Sequence, residues 1–196
     1  MKAGYRNTEA IILKKYRYSE TSAIVKMLAE DTGRLDCIAN GLYRKHRRFN
    51  APLESLGNCT IRYFYKPNKN LYRLISADQI HYPFSITENY EKYRFSQKMI
   101  KVIYRWSVSS DTVPVVYSMT KRSIYEMERT ASPQRVYIKF LLNFMIAEGV
   151  LDIHSGDNVN MRKLIADIFN ERLGRDDTDR FILKLEQHME KLLLYV

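Results

Sequence analysis

Residues 71–103 read LYRLISADQIHYPFSITENYEKYRFSQKMIKVI, and within them the hydrophobic period changes. LYRLISADQI is a short run rich in β-branched and aromatic residues, the composition of a strand, and Pro83 follows it closely. Beyond the proline, Ser85-Ile86-Thr87-Glu88 has the spacing of a capping box, in which serine and glutamate side chains each satisfy an open backbone N–H at a helix start. Tyr90, Tyr93, Ile100 and Ile103 then recur at helical intervals. The chain therefore reads as strands up to Pro83 and helices from Ser85 onward. The fold class expected is α+β, with a barrel over 1–83 and an all-α helical domain over 84–196.

Toward the amino terminus, four more segments have strand composition: TEAIILKKYRY, SAIVKMLAE, GRLDCIAN and GNCTIRYFYKP. Asp31-Thr32-Gly33 and Lys66-Pro67-Asn68-Lys69-Asn70 are the clear turns. Five strands in about 80 residues predict a small barrel. In the fourth, Ile61, Tyr63 and Tyr65 alternate with Arg62, Phe64 and Lys66, so one face carries charge while Phe64 interrupts the pattern. Toward the carboxyl terminus, Asp111 or Thr112 caps a second helix with Pro114 in its first turn. Ser132-Pro133 opens a third, whose stripe of Val136, Phe140, Leu141 and Phe144 ends near Gly149. DNVNMRKLIADIFNERLG forms a fourth, stopping at Gly174. A fifth, after DDTD, places Ile182, Leu185, Met189, Leu192 and Leu193 on one side.

With 196 residues, 45% of them hydrophobic, the chain can bury a full core. Its formal net charge of +10 implies an anionic partner: nucleic acid, an acidic protein tail or a membrane surface. The charge is uneven. Residues 1–83 hold 15 Lys or Arg against 7 Asp or Glu, and the remainder 17 against 15. Between Cys37 and Tyr82 the acids are Glu54 and Asp78 alone, while Arg44, Lys45, Arg47, Arg48, Arg62, Lys66, Lys69 and Arg73 all fall there. Four of these cations crowd the loop GLYRKHRRFN at 41–50, a density that marks an anion site and favours nucleic acid. Tyr43, Phe49, Tyr63, Tyr65 and Tyr72 offer stacking faces for bases, although each tyrosine taken singly reads as barrel core. His46 is a hydrogen-bonding neighbour rather than a ligand.

Catalytic patterns are missing: there is no glycine-rich phosphate loop, no G-x-S-x-G and no H-E-x-x-H, so an enzyme is not expected. Asp176-Asp177-Thr178-Asp179 precedes an amphipathic helix, where acids favour the positive end of the dipole, and reads as a cap rather than a metal site. Cys37 and Cys59 are too few for a disulfide framework or a zinc site and read as small buried strand residues. FLLNFMIAEGVL, the longest apolar stretch, is broken by Asn143 and Glu148, and the start MKAGYRNTEA lacks a signal-peptide core. A cytoplasmic chain without metal, cofactor or membrane span is expected.

Within residues 11–55, Tyr18-Ser19-Glu20, Gly33-Arg34, Ala39-Asn40-Gly41, the basic run Arg44 to Arg48 and Leu53-Glu54-Ser55 follow one another in an order that resembles the amino-terminal module of the bacterial recombination mediator RecO. The resemblance implies an oligonucleotide-binding (OB-fold) barrel followed by a helical domain. It also implies a nucleoid-associated DNA repair and recombination mediator that binds single- and double-stranded DNA and anneals strands. The implied partners are RecR, the acidic carboxyl-terminal tail of single-strand-binding protein and, indirectly, RecA, which it helps to load. Arg34, Arg44, Lys45, Arg47, Arg48, Arg62, Lys66, Lys69 and Arg73 are the expected DNA contacts. Arg122, Tyr125 and Arg129 share one helix face at i, i+3 and i+7, and Arg135 and Lys139 share another at i, i+4, so these four cations are the candidates for the tail. Glu126 with Arg129 is the local ion pair that would make that face ordinary surface.

Many members of the family hold zinc with two C-x-x-C pairs in the helical half, whereas no cysteine follows Cys59 here and LDIHSGDN occupies the region of the first pair. Zinc is not carried over, and the chain reads as shorter than is usual. An RNA-binding or ribosome-associated barrel module is the alternative reading, since tyrosines and cations serve either polymer. A scaffold whose charge only confers solubility is a third.

Overall fold

In the computed structural model the described residues are 2–44, 49–106, 112–149, 151 and 175–193. Five strands, β1 (Gly4–Arg17), β2 (Ala23–Ala29), β3 (Gly33–Ala39), β4 (Asn58–Tyr65) and β5 (Tyr72–His81), close a barrel in the order β1-β2-β3-β5-β4. All pairings are antiparallel except β3 with β5. The barrel closes because β1 is long enough to serve two neighbours: Gly4–Ile11 pairs with β4 and Ala10–Arg17 with β2. Period-two alternation turns Ile12, Val25, Met27, Cys37, Ile61 and Tyr63 inward. Phe49, Ala51 and Leu53, from the β3–β4 connection, join the same core. The five-stranded barrel followed by helices is the architecture expected from the period change.

One irregularity in β1 decides which side chains meet the helices. The register with β2 breaks between Ile12, opposite Met27, and Lys14, opposite Lys26, so Leu13 is an extra residue. Ile11 and Leu13 turn away from the barrel and enter the hydrophobic cluster of the helical half, together with Leu28 and Leu56. Beyond the bulge, Lys14 and Tyr16 take outward positions beside Lys26 and Ile24. One cluster thus runs from the outer wall of the barrel into the helices.

The helices are α1 (Phe84–Thr87), α2 (Tyr90–Arg105), α3 (Val113–Arg129), α4 (Pro133–Ala147) and α5 (Arg175–Leu193). The expected capping box is not used. Ser85 lies inside the single turn of α1 with its hydroxyl 3.5 Å from Glu128, and α2 starts later, at Tyr90. Asn89 caps it: its backbone is extended and its side chain accepts from the Lys92 N–H at 3.1 Å, the geometry that an N-cap requires. Tyr90 and Tyr93 consequently fall in the first turn, 75% and 43% exposed, and the buried face is carried by Phe95, Met99, Ile100, Val102 and Ile103.

Thr112 precedes α3 as expected, with its hydroxyl on Glu148 at 2.7 Å rather than on the backbone. Ser132 and Pro133 open α4, and the stripe of Val136, Phe140, Leu141 and Phe144 is buried. The helix expected over 157–174, and Asp111, lie outside the described residues. Asp176 to Asp179 lie in the opening turns of α5 instead of before it, because that helix already runs from Arg175. Ile182, Leu185 and Met189 are buried, whereas the side chains of Leu192 and Leu193 lie outside the described ones.

The start of α3 is fitted onto the β2–β3 turn. Gly33 has φ +73°, and a Cβ there would lie 2.8 Å from Val113 Cγ2, so only glycine suits both the backbone and the contact. Further along α3, the Tyr117 hydroxyl lies 2.9 Å from Glu9 Oε2, and Lys121 Nζ lies 2.7 Å from the same oxygen. The hydrogen bond from Lys121 is the main cause holding the Glu9 carboxyl below its usual range, with Tyr117 adding to it against the opposing effect of burial. His81, at the end of β5, stacks on Tyr125 at 4.6 Å and meets Glu128 at 2.7 Å.

Candidate nucleic-acid interface

On the outer face of β1, β2 and β3, Lys14, Lys26 and Arg34 converge on one aromatic ring, that of Tyr104 in α2. Lys14 Nζ is 5.9 Å, Lys26 Nζ 5.3 Å and Arg34 Cζ 5.9 Å from its centroid. Tyr16 supports the ring from β1, the two hydroxyl oxygens lying 3.2 Å apart, and Arg34 donates to the Tyr104 carbonyl at 3.3 Å. The hydrogen bond with Tyr16, followed by the positive charge of Lys26 and Lys14, lowers the Tyr104 hydroxyl from its ordinary value. Asp36 pairs with Lys26 at 2.8 Å, and this hydrogen bond raises the lysine and keeps it charged. Lys101 borders the cluster in a groove of about 430 Å³ shared with Leu13, Gln97 and Tyr104. Chemically, the face offers cations that can exchange condensed counterions for phosphates and tyrosine rings on which bases can stack.

Beyond the end of β3, the chain carries this character around the barrel. The Tyr43 N–H donates to the Thr21 carbonyl at 3.1 Å, tying the basic loop to the β1–β2 turn, and Arg17 lies 5.5 Å from the Tyr43 ring. Arg44 is exposed next to it, and with Lys15, Tyr43, Phe49 and Pro52 it lines a cavity of about 440 Å³. Lys45, His46, Arg47 and Arg48 lie outside the described residues.

The remaining expected DNA contacts are elsewhere. Arg62 and Arg73 stand on the outer face of β4 and β5, and Lys66 and Lys69 in the β4–β5 turn, all exposed. A field that is continuous along the sequence is therefore divided in space, with Arg34 beside Tyr104 and Arg62 beside Tyr5, on strands that are not neighbours in the barrel. Among the aromatic residues read as stacking faces, Phe49 and Tyr63 are enclosed in the barrel core and cannot reach a base. Tyr65 and Tyr72 stack on each other at 5.3 Å, and Tyr43 is exposed. Lys14, Tyr16, Lys26 and Tyr104 were missed by the sequence reading. The alternation of Lys14 and Tyr16 was the available signal for the first two, but nothing local points from Tyr104 to a strand pair 88 residues earlier.

In the helical half, Arg122, Tyr125 and Arg129 line a cavity of about 460 Å³ with Thr130 and Val136, between α3 and α4. Arg135 instead borders a separate groove with Asn89, Lys92, Gln134 and Thr178. Lys139 pairs with Glu126 at 2.8 Å, so that acid bridges two helices rather than pairing within α3. Cys37 and Cys59 are buried in the barrel core, and desolvation pushes the Cys59 thiol up to about 11 and Cys37 higher still. Among the described residues no helix is long and apolar enough to cross a membrane, and no three His, Cys, Asp or Glu side chains group as a metal site would require.

Residues 1–83 match the family model for the recombination protein O amino-terminal domain. The barrel is similar to the RecO amino-terminal domain. The likeness to RecO continues into the helices, since a match to DNA repair protein RecO of Lawsonia intracellularis, 29% identical over 147 residues, covers 74% of this chain and 59% of that one. DNA repair protein RecO of Salinibacter ruber is 21% identical over 120 residues, covering 61% of this chain and 46% of its own. That of Thermodesulfovibrio yellowstonii is 29% identical over 136 residues, covering 69% and 53%. The chain spans about half the length of the curated RecO relatives it matches.

Proposed function

We propose that this chain is a mediator of DNA repair and recombination that works by binding rather than by catalysis, and that it holds single-stranded DNA along β1, β2 and β3. The observation that carries the reading is the convergence of Lys14, Lys26 and Arg34 on Tyr104, beside an exposed Tyr43 and Arg44. Contacts to phosphates and to base faces do not read sequence, which suits a protein that must act on any gap. The family resemblance extends the proposal to double-stranded DNA, strand annealing, pairing with RecR, and help to RecA in replacing single-strand-binding protein. Its acidic tail would enter the cavity between α3 and α4, where Arg122 and Arg129 flank Tyr125 and Val136.

The deciding experiment is annealing of complementary DNA strands coated with single-strand-binding protein, with and without the chain. Acceleration is expected. Equal or tighter binding of unstructured RNA with no annealing would turn the reading toward an RNA-binding module. Replacing Arg44, Lys45, Arg47 and Arg48 with alanine should flatten the salt dependence of log K on single strands by up to about 0.7 per lost phosphate contact. An unchanged slope would remove the loop from the site. For the tail, Arg122→Glu and Arg129→Glu should weaken binding of a tail peptide at low salt, and unaltered affinity would remove that cavity from the proposal.

A further inference from the structure

The outer wall formed by β4, β5 and the first half of β1 carries a second group of the same chemistry. Tyr5 and Phe64 face each other across β1 and β4 in an edge-to-face pair 5.2 Å apart, and Tyr5 is 56% exposed. Arg62 lies 4.7 Å from the Tyr5 ring, and Arg73 is the β5 residue opposite Phe64. Both arginines are exposed, and neither makes an ion pair among the described residues. The nearest acids in register, Glu9 and Asp78, lie further along the sheet opposite Thr60, and both are engaged, Glu9 by Lys121 and Asp78 by Asn50. In the closed strand order, β4 is separated from β2 by β1 on one side and by β5 and β3 on the other. Arg73 is also in register with Ile38 of β3, so one strand of nucleic acid lying along β2 and β3 passes beside Arg73 and leaves Tyr5, Arg62 and Phe64 uncovered.

A cross-strand aromatic pair alone would be ordinary sheet packing. Two arginines that pair with no acid among the described residues, beside an exposed ring, are not required by that packing. They supply what a phosphate backbone and a base face need, as on the first side of the barrel. We infer that the barrel has two single-strand sites, and that Tyr5, Arg62 and Phe64, with Arg73 at the edge toward β3, form the second, so that one chain holds two strands at once on different walls. The inference rests on the reading of β1, β2 and β3 as the first site.

The test uses the full chain and two dT oligonucleotides of different mass, each about eight nucleotides long, within the range that one such barrel accommodates. Native mass spectrometry at saturation should show each chain carrying two oligonucleotides. Arg62→Glu with Arg73→Glu should reduce this to one, and so should Lys14→Glu with Lys26→Glu, while the four changes together should leave none. Should the charge reversals disturb folding, Arg62→Gln with Arg73→Gln gives the same comparison. A single oligonucleotide on the unaltered chain, or two on the Arg62 and Arg73 variant, would overturn the second site and leave the first standing. No oligonucleotide on any form would overturn both.

Discussion

Two stretches of β1 treat charge in opposite ways. At Glu9 the strand meets α3, and the carboxylate is answered within the chain by Lys121 at 2.7 Å and by the Tyr117 hydroxyl at 2.9 Å. At Lys14, past the bulge, the same strand adds a cation to Lys26 and Arg34 around Tyr104, and among the described residues Asp36 is the acid paired with that group. The first arrangement joins two parts of a fold. The second gathers like charges at a small expense of stability and leaves them to be satisfied by something anionic from outside. The difference separates side chains that hold the chain together from those presented to a ligand.

The comparison can be broken most forcefully at the junction. Ile11 belongs to the cluster that runs from barrel to helices, so Ile11→Ala should lower stability by about 2 to 5 kcal/mol. Urea unfolding should show barrel and helices shifting together in one transition; a shift confined to one of two separable transitions would contradict a shared core. A somewhat smaller loss, about 2 to 4 kcal/mol, is expected for Gly33→Ala, which combines left-handed backbone strain with the clash against Val113. An unchanged melting temperature would show that α3 is not seated on that turn.

Glu9→Gln should be milder, about 1 kcal/mol or less, because the side chain is 34% exposed and solvent screens the pair. Its signature lies in pH. A carboxyl depressed by folding contributes stability above its unfolded value near 4.5, and that contribution fades as pH falls through the lower folded value. The substituted protein should therefore lose less stability than the unaltered one as pH falls below about 5 through the lowered folded value. Parallel curves would remove Glu9 from the junction. The smallest effect on folding, within about 0.5 kcal/mol, is expected for Lys14→Ala with Lys26→Ala, combined with a reduced salt slope for DNA binding. Large destabilisation with intact binding would reverse the assignment of roles.

The period change after Pro83, the inward alternation of Ile61 and Tyr63 and the apolar stripe of α4 were legible because each depends on neighbours close in sequence. The start of α2 was misread because Ser85 and Asn89 are both competent caps, and the one-turn α1 intervening between them has no periodic signal of its own. The site was legible as chemistry but not as geography. Alternation says that Arg62 and Arg34 point away from a core, yet only the closure of the barrel separates them onto different walls. Phe49 read as a stacking face because it sits in a basic loop, but the barrel end needed an apolar closure and took it inward. The bulge at Leu13 shifts the phase of β1 by one residue, which no simple alternation would anticipate.

The two cysteines, which take no part in the proposed site, have a practical consequence. Both thiols are enclosed in the barrel interior and held in their unreactive protonated form by desolvation. An alkylating reagent can reach them only when strands part, so the rate of labelling is a clock for the breathing of the barrel. Because β4 contributes Cys59 and β3 contributes Cys37, the clock has two hands, one on each wall. Slower ticking of either in the presence of an oligonucleotide would report, without any engineered probe, which wall has been clamped shut.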